Sequence, residues 1–317
     1  MNWKSIAAHP ELGTVVLLAL ALAIGDRTSP HFFGALLGSS PLYVEAGLLA
    51  LGMTFTIVAG QIDLSVASSL VLVACVVGKL SGTLPMPVAC LAGLALGALL
   101  GAGNGLLIGR FRLPSFLVTL GTFALYRGLA HAIMGSKSAK LPDSFVGIDA
   151  ITPLGIPAPL LALFGVAVIL ALLLHRTVFG REVFAVGGNA VASRYAGIHR
   201  GRIMVLLFML NGLLAAGAAL LMDSRLGVAR HDLAQGLELD AIVTVVLGGA
   251  SIYGGSGTVL GTMIGFCLMA SVKTMLQLAN VRAEIQFAVL GSLLAVAVIA
   301  RNLTYSGRRA TSGLQVE

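Results

Sequence analysis

The chain alternates between long apolar runs and short stretches that carry its polar and charged residues. A helix needs about 20 apolar residues to cross a bilayer, and most of these runs meet or approach that length. They predict ten whole or partial membrane-crossing helices, at residues 12–24, 42–60, 64–80, 87–109, 114–134, 159–175, 203–222, 239–250, 258–279 and 284–300. The eighth run is too short for a straightforward crossing. No convincing small-residue cleavage site follows the first run, so we interpret it as a retained helix and not as a signal peptide.

Two of these regions are interrupted by a small, polar break. From Ile242 to Leu260 the sequence reads IVTVVLGGASIYGGSGTVL, where a glycine-rich knot separates two apolar segments. A shift of 188 positions reveals a fainter earlier copy, because it lays Thr56, Gly60, Ser68, Val71 and Leu72 on Thr244, Gly248, Ser256, Val259 and Leu260. Paired breaks of this kind are typical of transporters, since broken helices expose backbone groups that line a pathway for a polar solute. The alternative is a chance similarity between two Gly/Ser turns.

The composition excludes a soluble fold. Of the 317 residues, 57% are hydrophobic and only 10% are charged, whereas about one quarter of a soluble domain is charged. We therefore expect an all-α polytopic membrane protein with an internal two-fold repeat. It forms a single transmembrane domain over residues 1–317, with repeat halves at roughly 40–135 and 203–300. The net charge of +7 then bears on helix orientation, and we expect no binding of nucleic acid.

The arginines set the expected orientation, because basic residues gather in cytoplasmic loops. With the amino terminus inside, the inner connections hold most of the basic residues, and the densest group lies between Arg176 and Arg202. The reverse orientation would place that group outside, which is the arrangement that the positive-inside rule disfavours most. We therefore expect both termini in the cytoplasm.

Glycines recur every four residues in two of the predicted helices. This spacing gives a helix a smooth stripe where a neighbouring helix can approach closely. The predicted packing glycines are Gly93, Gly97, Gly101, Gly105 and Gly109 in the first stripe and Gly257, Gly261 and Gly265 in the second. We assign them to helix packing and not to a ligand site.

Four segments, in their order and spacing, resemble the inner-membrane permeases of bacterial ABC importers for monosaccharides. They are GQIDLSVAS at Gly60–Ser68, LPSFLVTLGT at Leu113–Thr122, VGGNAVASRYAGI at Val186–Ile198 and VVLGGASIYGGSGTVLGT at Val245–Thr262. The similarity covers about residues 40–300 and is nearest to the permeases for ribose, xylose, rhamnose and the autoinducer-2 signal. In the first segment Gln61 and Ala67 stand where the family has glycine.

The resemblance implies a ten-helix subunit of the bacterial inner membrane, surrounded by lipid. It implies pairing with a second permease subunit, as a homodimer or heterodimer, on two cytoplasmic ATP-binding subunits. The solute is then delivered by a periplasmic sugar-binding protein.

The break near residue 60 carries the most polar patch of the first half. We predict that Asp63 caps backbone amides of the segment that begins near Leu64, in preference to contacting sugar directly, and that Ser251 can cap in the same way in the second half. Hydroxyl and amide side chains suit a neutral sugar, because they exchange hydrogen bonds without holding a charge. The candidate pathway residues are Thr54, Thr56, Gln61, Asp63, Asn104, Asn211, Thr244 and Ser251.

The predicted inner loop at 176–202 contains a short helical stretch from Asn189 to Tyr195. An ordinary arginine-rich inner loop would not require its frame of glycine, asparagine and alanine. In the resembled family the matching position supplies a helix that docks into a groove of the ATPase, where small residues allow close approach and arginines pair with acids. The resemblance implies ATPase-coupling roles for Gly188, Asn189, Ala192, Arg194 and Gly197.

Several other functions lack their motifs in this sequence. It has no GxxxxGK[ST] phosphate loop, so we expect no cofactor on this chain, and ATP and magnesium on the partner ATPase. The histidines and cysteines show no metal-ligand spacing, and an intramembrane enzyme would lack a catalytic set. The other alternative is an ion-coupled secondary carrier of a small polar solute. Such a carrier would bury several acids in its helices, whereas this sequence has almost none apart from Glu45, Asp63 and Glu284, all near helix ends.

We predict that two positions are exposed to the cytoplasm. A cysteine introduced by Asn189→Cys or Ser306→Cys resists a membrane-impermeant thiol reagent in whole cells and reacts in inverted vesicles, because both positions lie in arginine-rich inner segments. Labelling of both positions from outside would show that the chain has the opposite orientation.

Overall fold

The computed structural model describes residues 10–282, 285–286, 288–289, 291–293 and 295. Over this part the chain is predominantly helical, with strands of only two residues each, which confirms the all-α expectation. The α-helices are α1 (Pro10–Thr28), α2 (Phe32–Ser39), α3 (Pro41–Val58), α4 (Val66–Leu80), α5 (Met86–Arg110), α6 (Ser115–Met134), α7 (Ala158–Arg176), α8 (Val178–Gly188), α9 (Ala190–Tyr195), α10 (Arg200–Leu226), α11 (Leu237–Leu247) and α12 (Val259–Leu278).

Short non-α elements lie in two of the connections. Strands β1 (Ala139–Lys140) and β2 (Val228–Ala229) pair antiparallel, and single 3-10 turns span Ile148–Ala150 and Pro153–Gly155. The strand pairing joins the connection after α6 to the end of α10. This β pairing was not expected from the sequence.

Six described helices, α3, α5, α6, α7, α10 and α12, are long and apolar enough to cross a membrane. The pair α1 and α2 is bent by 117°, and counted as one span it makes a seventh. The next two candidates are shorter, since α4 has 15 residues and α11 has 11. At 1.5 Å per residue α11 is only about 16 Å long. The run at 284–300 falls largely outside the described residues, so ten full crossings are not established.

Proline and glycine set many of the helix boundaries. Pro41 lies in the first turn of α3, while Pro114 and Pro157 directly precede α6 and α7, where the missing amide hydrogen costs little. At the other ends, Gly135 and Gly227 terminate α6 and α10 with φ values of 59° and 68°. Glycine reaches these positive φ values without the strain that a side chain would bring. The predicted segment ends therefore lie within a few residues of the observed ones.

The long helix α10 is the main packing partner of α5 and also contacts α3 and α4. Helix α3 lies innermost, with 94% of its residues buried, against 22% in the most apolar windows of α5 and α6. The exposed faces of α5, α6 and α7 are rich in leucine, valine and phenylalanine. These faces suit contact with lipid, whereas α3 depends on protein contacts on every side.

The stripe on α5 lies directly against its neighbours. A Cβ added at Gly101 would collide with the backbone carbonyl oxygen of Phe208 in α10, and one at Gly105 would lie 2.5 Å from the Cα of Val205. A Cβ added at Gly97 would likewise collide with the carbonyl oxygen of Gly212, which also lies in α10. The α5 and α10 backbones therefore touch, which only glycine permits. Gly93 faces α4 instead, where an added Cβ would lie 2.5 Å from Val77.

The second stripe is shorter than expected. Gly261 lies in α12 and packs on the carbonyl oxygen of Gly248, but Gly257 precedes the helix with φ of 154°. An added Cβ at Gly257 would lie 2.8 Å from Ala250 and 2.9 Å from Val58. Because α12 begins only at Val259, Gly257 belongs to the break and not to a helix stripe.

We predict that Gly101→Leu destabilises the fold by about 1–3 kcal/mol, because the side chain forces α5 away from α10. Gly103→Leu is the matched control, since a Cβ added at Gly103 of the same helix has no atom within 4 Å. The thermal unfolding midpoint of purified protein should fall for Gly101→Leu and stay near the wild-type value for Gly103→Leu. Equal midpoints for Gly101→Leu and wild type would show that the stripe does not hold the helices together.

Candidate functional site

A buried polar network surrounds the first helix break, between α3 and α4. The Oδ1 atom of Asp63 accepts hydrogen bonds from the Ser65 amide at 2.9 Å and the Ser65 hydroxyl at 2.6 Å, and Oδ2 accepts from Nδ2 of Asn211 at 2.8 Å. Asn104 donates to the Ser65 hydroxyl oxygen at 2.8 Å and accepts from the Tyr126 hydroxyl at 3.3 Å. All five side chains are buried. We call them the Asp63 network.

The Asp63 network connects the break to α5, α6 and α10, which carry Asn104, Tyr126 and Asn211. Its polar groups are directed mainly at one another, as buried polar groups in a membrane protein require. Helix α4 begins at Val66, two residues later than the expected start, and Asp63 accepts from the amide of Ser65 just before it. Ser65 belongs to the polar patch that the sequence places at this break, whereas Tyr126 was not singled out from the sequence.

The remaining candidate pathway residues lie outside the Asp63 network and bond to other parts of the fold. The hydroxyl of Thr54 shares a hydrogen bond with that of Thr262 at 2.7 Å. The other three side chains donate to backbone carbonyls: Thr56 to Met53 at 3.0 Å, Thr244 to Asp240 at 2.7 Å, and Gln61 to Gly60 at 2.8 Å. The backbone amide of Ser251 donates to the carbonyl of Ser256, while the side chain of Thr258 caps α12 by accepting from the Gly261 amide at 2.9 Å. The capping position that we expected at Ser251 is therefore seven residues further along.

The two helix breaks meet at the carboxyl end of α8. The amide of Gly255 donates to the carbonyl oxygen of Val58 at 2.8 Å, so the second break bonds directly to the last residue of α3. A Cβ added at Gly187 would collide with that same oxygen, and one at Gly254 would lie 2.8 Å from the Gly187 oxygen and 2.9 Å from the Gly60 Cα. We call Gly60, Gly187, Gly188, Gly254 and Gly255 the glycine junction.

Backbone meets backbone at the glycine junction because no side chain intervenes. Gly60, Gly254 and Gly255 have φ values of 71°, 86° and 75°, which side-chain-bearing residues rarely adopt. The glycines thus serve two needs at once, a left-handed turn and a close approach. This arrangement brings together the sequence motifs near residues 60, 188 and 254.

The short helix α9 follows the glycine junction directly. Asn189 caps it by accepting from the amides of Val191 at 3.0 Å and Ala192 at 2.9 Å, and Gly197, with φ of 81°, follows its end. Ala192 and Arg194 are exposed. Val191 and Tyr195, which the sequence analysis did not single out, are 67% and 90% exposed. An exposed helix with apolar and basic side chains is suited to contact with another protein.

A cavity of about 430 Å³ with several charged and polar lining residues lies beside the middle of α6. It is lined by Phe123, Arg127, His231, Asp232, Gln235, Gly236 and Glu238, none of which is among the candidate residues predicted from the sequence. Arg127 stabilises its wall by donating to the carbonyl oxygens of His231, Leu233 and Ala234 at 3.3, 2.7 and 3.0 Å. The sequence feature that could have indicated this cavity is Arg127 itself, a charged residue inside an otherwise apolar helix. We call this the Arg127 cavity.

The lining of the Arg127 cavity combines hydrogen-bonding groups with one aromatic ring. Among the described residues, Nδ1 of His231 and Oε2 of Glu238 are buried without a hydrogen-bond partner. Hydrogen bonding from Arg230 lowers the pKa of the Asp232 carboxyl, so Asp232 remains an ionised acceptor. Such a set of donors and acceptors beside the Phe123 ring can hold a small hydroxylated solute.

Buried acids are more numerous than the sequence indicated. Glu45 is paired with Arg225 at 2.8 Å and Asp240 with Lys273 at 2.5 Å. Asp223 is fully buried, and neither of its carboxylate oxygens has a hydrogen-bond partner among the described residues. The scarcity of acids is therefore a weaker argument against an ion-coupled carrier than we expected, because Asp223 and Asp240 lie in the apolar regions.

Comparison with known proteins identifies the family. Residues 35–298 match the model of a family described as the permease component of branched-chain amino acid transport systems. The autoinducer 2 import system permease protein LsrD of Enterobacter sp. (strain 638) is 35% identical over 314 residues, which cover 96% of this chain and 94% of that protein. The protein of the same name from Escherichia coli (strain K12) is 35% identical over 304 residues, covering 93% and 92%.

No solved structure matches the chain. The family model and the relatives each cover most of the sequence, and they confirm the resemblance to importer permeases drawn from its four motifs. The chain therefore belongs to this permease family and is a membrane transport subunit, not itself an enzyme.

Proposed function

We propose that the chain pairs with a second permease subunit to form the pathway of an ABC importer for a monosaccharide or a related sugar-like solute. Separate cytoplasmic subunits hydrolyse ATP, and a periplasmic binding protein delivers the solute. The observation that carries this proposal is the position of α9. It is exposed for docking, and the glycine junction connects it to both helix breaks.

This connection gives a physical route from ATP hydrolysis to the pathway. A force on α9 acts through Gly188 and Gly187 on the carbonyl end of α3 and on the turn before α12. These contacts are rigid because they join backbone atoms and not flexible side chains. Movement of α9 therefore shifts both breaks together, as alternating access requires.

The ten-helix arrangement and the internal repeat are part of this proposal. In each half a helix, a glycine-containing break and a second helix follow in order, as α3 and α4 and then as α11 and α12. The short helices α4 and α11 then serve as partial crossings. With the amino terminus inside, the breaks and α9 lie on the cytoplasmic side, and the β1–β2 pair and the Arg127 cavity lie on the periplasmic side.

The autoinducer 2 relatives favour a sugar-like solute over an amino acid. The Arg127 cavity supports this choice, because its donors and acceptors match the hydroxyl groups of a sugar and its aromatic ring can lie against a sugar face. We assign it to the reception of the solute from the binding protein. The Asp63 network is assigned to holding the break in place.

We predict that substitutions on α9 abolish energy coupling without unfolding the membrane domain. Ala192→Trp blocks close approach of the ATPase groove, and Arg194→Glu reverses a charge that pairs with an acid on the partner. In proteoliposomes with the ATPase and the binding protein, both variants should lower ATPase association, solute-stimulated hydrolysis and uptake by on the order of tenfold or more. Lys140→Glu, an exposed charge reversal at the other end of the fold, is the control for ATPase association and should match the wild type in that measurement.

Unchanged uptake in both α9 variants would contradict the docking role. Transport by the chain alone, driven by an ion gradient, would favour the secondary carrier instead. In that case Asp223 would be the first acid to test, because it is buried without a partner among the described residues.

We predict that Gly187→Ala separates docking from transmission. The added methyl group collides with the Val58 carbonyl oxygen, so α9 still binds the ATPase but no longer moves the breaks correctly. Uptake should fall by on the order of tenfold with ATPase association retained. Gly103→Ala is the matched control, because Gly103 lies outside the junction and a Cβ there has no atom within 4 Å. Wild-type uptake by folded Gly187→Ala protein would show that the junction transmits nothing.

A further inference from the structure

A second cavity, of about 730 Å³, lies where the end of α5 meets the start of α10. It is lined by Leu106, Gly109, Arg110, Arg112, Gly201, Arg202, Val205 and Leu206. The two glycines bring the helices together at its base, since a Cβ added at Gly109 would lie 2.8 Å from the Gly201 carbonyl oxygen. We call it the arginine cavity. Neither the predicted pathway nor the coupling helix accounts for it.

Three guanidinium groups line the arginine cavity, and no acid does. Arg110, Arg112 and Arg202 are exposed. Within the described part of the chain, none of the three forms an ion pair with a carboxylate. Three adjacent cations without internal partners create a strongly positive site, and arginine is the side chain best suited to bidentate contact with phosphate.

The remaining walls of the cavity are apolar. Leu106 is 51% exposed and lies one helical turn before Arg110, and Val205 and Leu206 face it from α10. Helix α5 has 25 residues, which is about 37 Å and exceeds the roughly 30 Å of the hydrocarbon core. Its terminal arginine therefore lies at the level of the lipid headgroups, while Leu106 lies at the level of the acyl chains.

We propose that the arginine cavity binds an anionic phospholipid of the cytoplasmic leaflet. The phosphate lies among Arg110, Arg112 and Arg202, and an acyl chain extends along Leu106 and Leu206. Basic pockets between helices at the cytoplasmic surface bind anionic headgroups in this way. The apolar walls favour a lipid over an acidic protein surface, which would leave Leu106 without an apolar partner.

The inference rests on the cytoplasmic orientation proposed above, but not on the identity of the solute or on the ATPase. Its test therefore uses the purified permease alone. Dioleoyl phosphatidylglycerol and dioleoyl phosphatidylcholine are titrated in detergent, and bound lipid is counted by native mass spectrometry. Inorganic phosphate is added separately to distinguish a lipid site from a site for a free anion.

We expect the wild type to bind phosphatidylglycerol more tightly than phosphatidylcholine. Arg110→Gln, Arg112→Gln and Arg202→Gln should each weaken phosphatidylglycerol binding about fivefold, and the triple variant on the order of 100-fold. The matched control carries Arg176→Gln, Arg181→Gln and Arg194→Gln, which remove the same charge from outside the cavity. It should stay within about twofold of the wild type.

Three results would overturn the proposal. The first is an equal loss of affinity in the control triple variant, which would indicate attraction by overall charge. The second is displacement of the lipid by inorganic phosphate at equal concentration, which would indicate a site for soluble anions. The third is unchanged phosphatidylglycerol binding by the cavity triple variant.

If that variant instead lost association with the ATPase, the cavity would be a protein-docking surface. A defect in the α9 variants alone leaves this outcome unaffected, so failure of the two proposals can be told apart.

Discussion

The structure depends on one constraint, that a helix broken inside a membrane protein must find partners for its freed backbone groups without help from water. Two of the breaks in the described part of the chain follow Val58 and Leu247. At each break the freed backbone groups find hydrogen-bond partners largely within the fold. The Gly255 amide donates to the Val58 carbonyl oxygen, and the side chains of Asp63 and Thr258 accept from nearby backbone amides. Because the breaks bond to each other, neither can be rearranged independently of its counterpart.

Close packing of α5 on α10 serves the same constraint at a larger scale. Asn104 and Asn211 reach the first break only because the glycine stripe allows these two helices to lie in backbone contact. Buried ion pairs at Glu45 and Asp240 add further connections, from α3 to α10 and from α11 to α12. In an apolar surrounding such pairs define a single geometry, because breaking one leaves an uncompensated charge. The helices that line the proposed pathway are thus fixed by polar contacts as well as by packing.

The sequence predicted the features that depend on neighbouring residues. Helix ends at Pro114 and Gly135 follow from local backbone chemistry, and the short helical stretch after Asn189 follows from the residues within it. It did not predict the features that join distant parts of the chain. The partners of Asp63 and the residues of the Arg127 cavity come together only in the fold, because Arg127 bonds to carbonyls more than 100 positions away. Gly257 was wrongly assigned to the second glycine stripe, because the four-residue spacing extends into the break that precedes α12.

The bond between Asp63 and Asn211 also has a consequence for how the protein is made. The two residues are 148 positions apart, so at 5–20 residues per second the ribosome delivers the partner roughly 7–30 s after the acid. During that interval α4 is present without α10, and of the two residues that bond to the carboxylate in the fold only the neighbouring Ser65 has been made. The first half is therefore inserted before all of the hydrogen bonds to its break can form. Until the second half arrives, the break near residue 60 must stay in contact with water or with the insertion machinery.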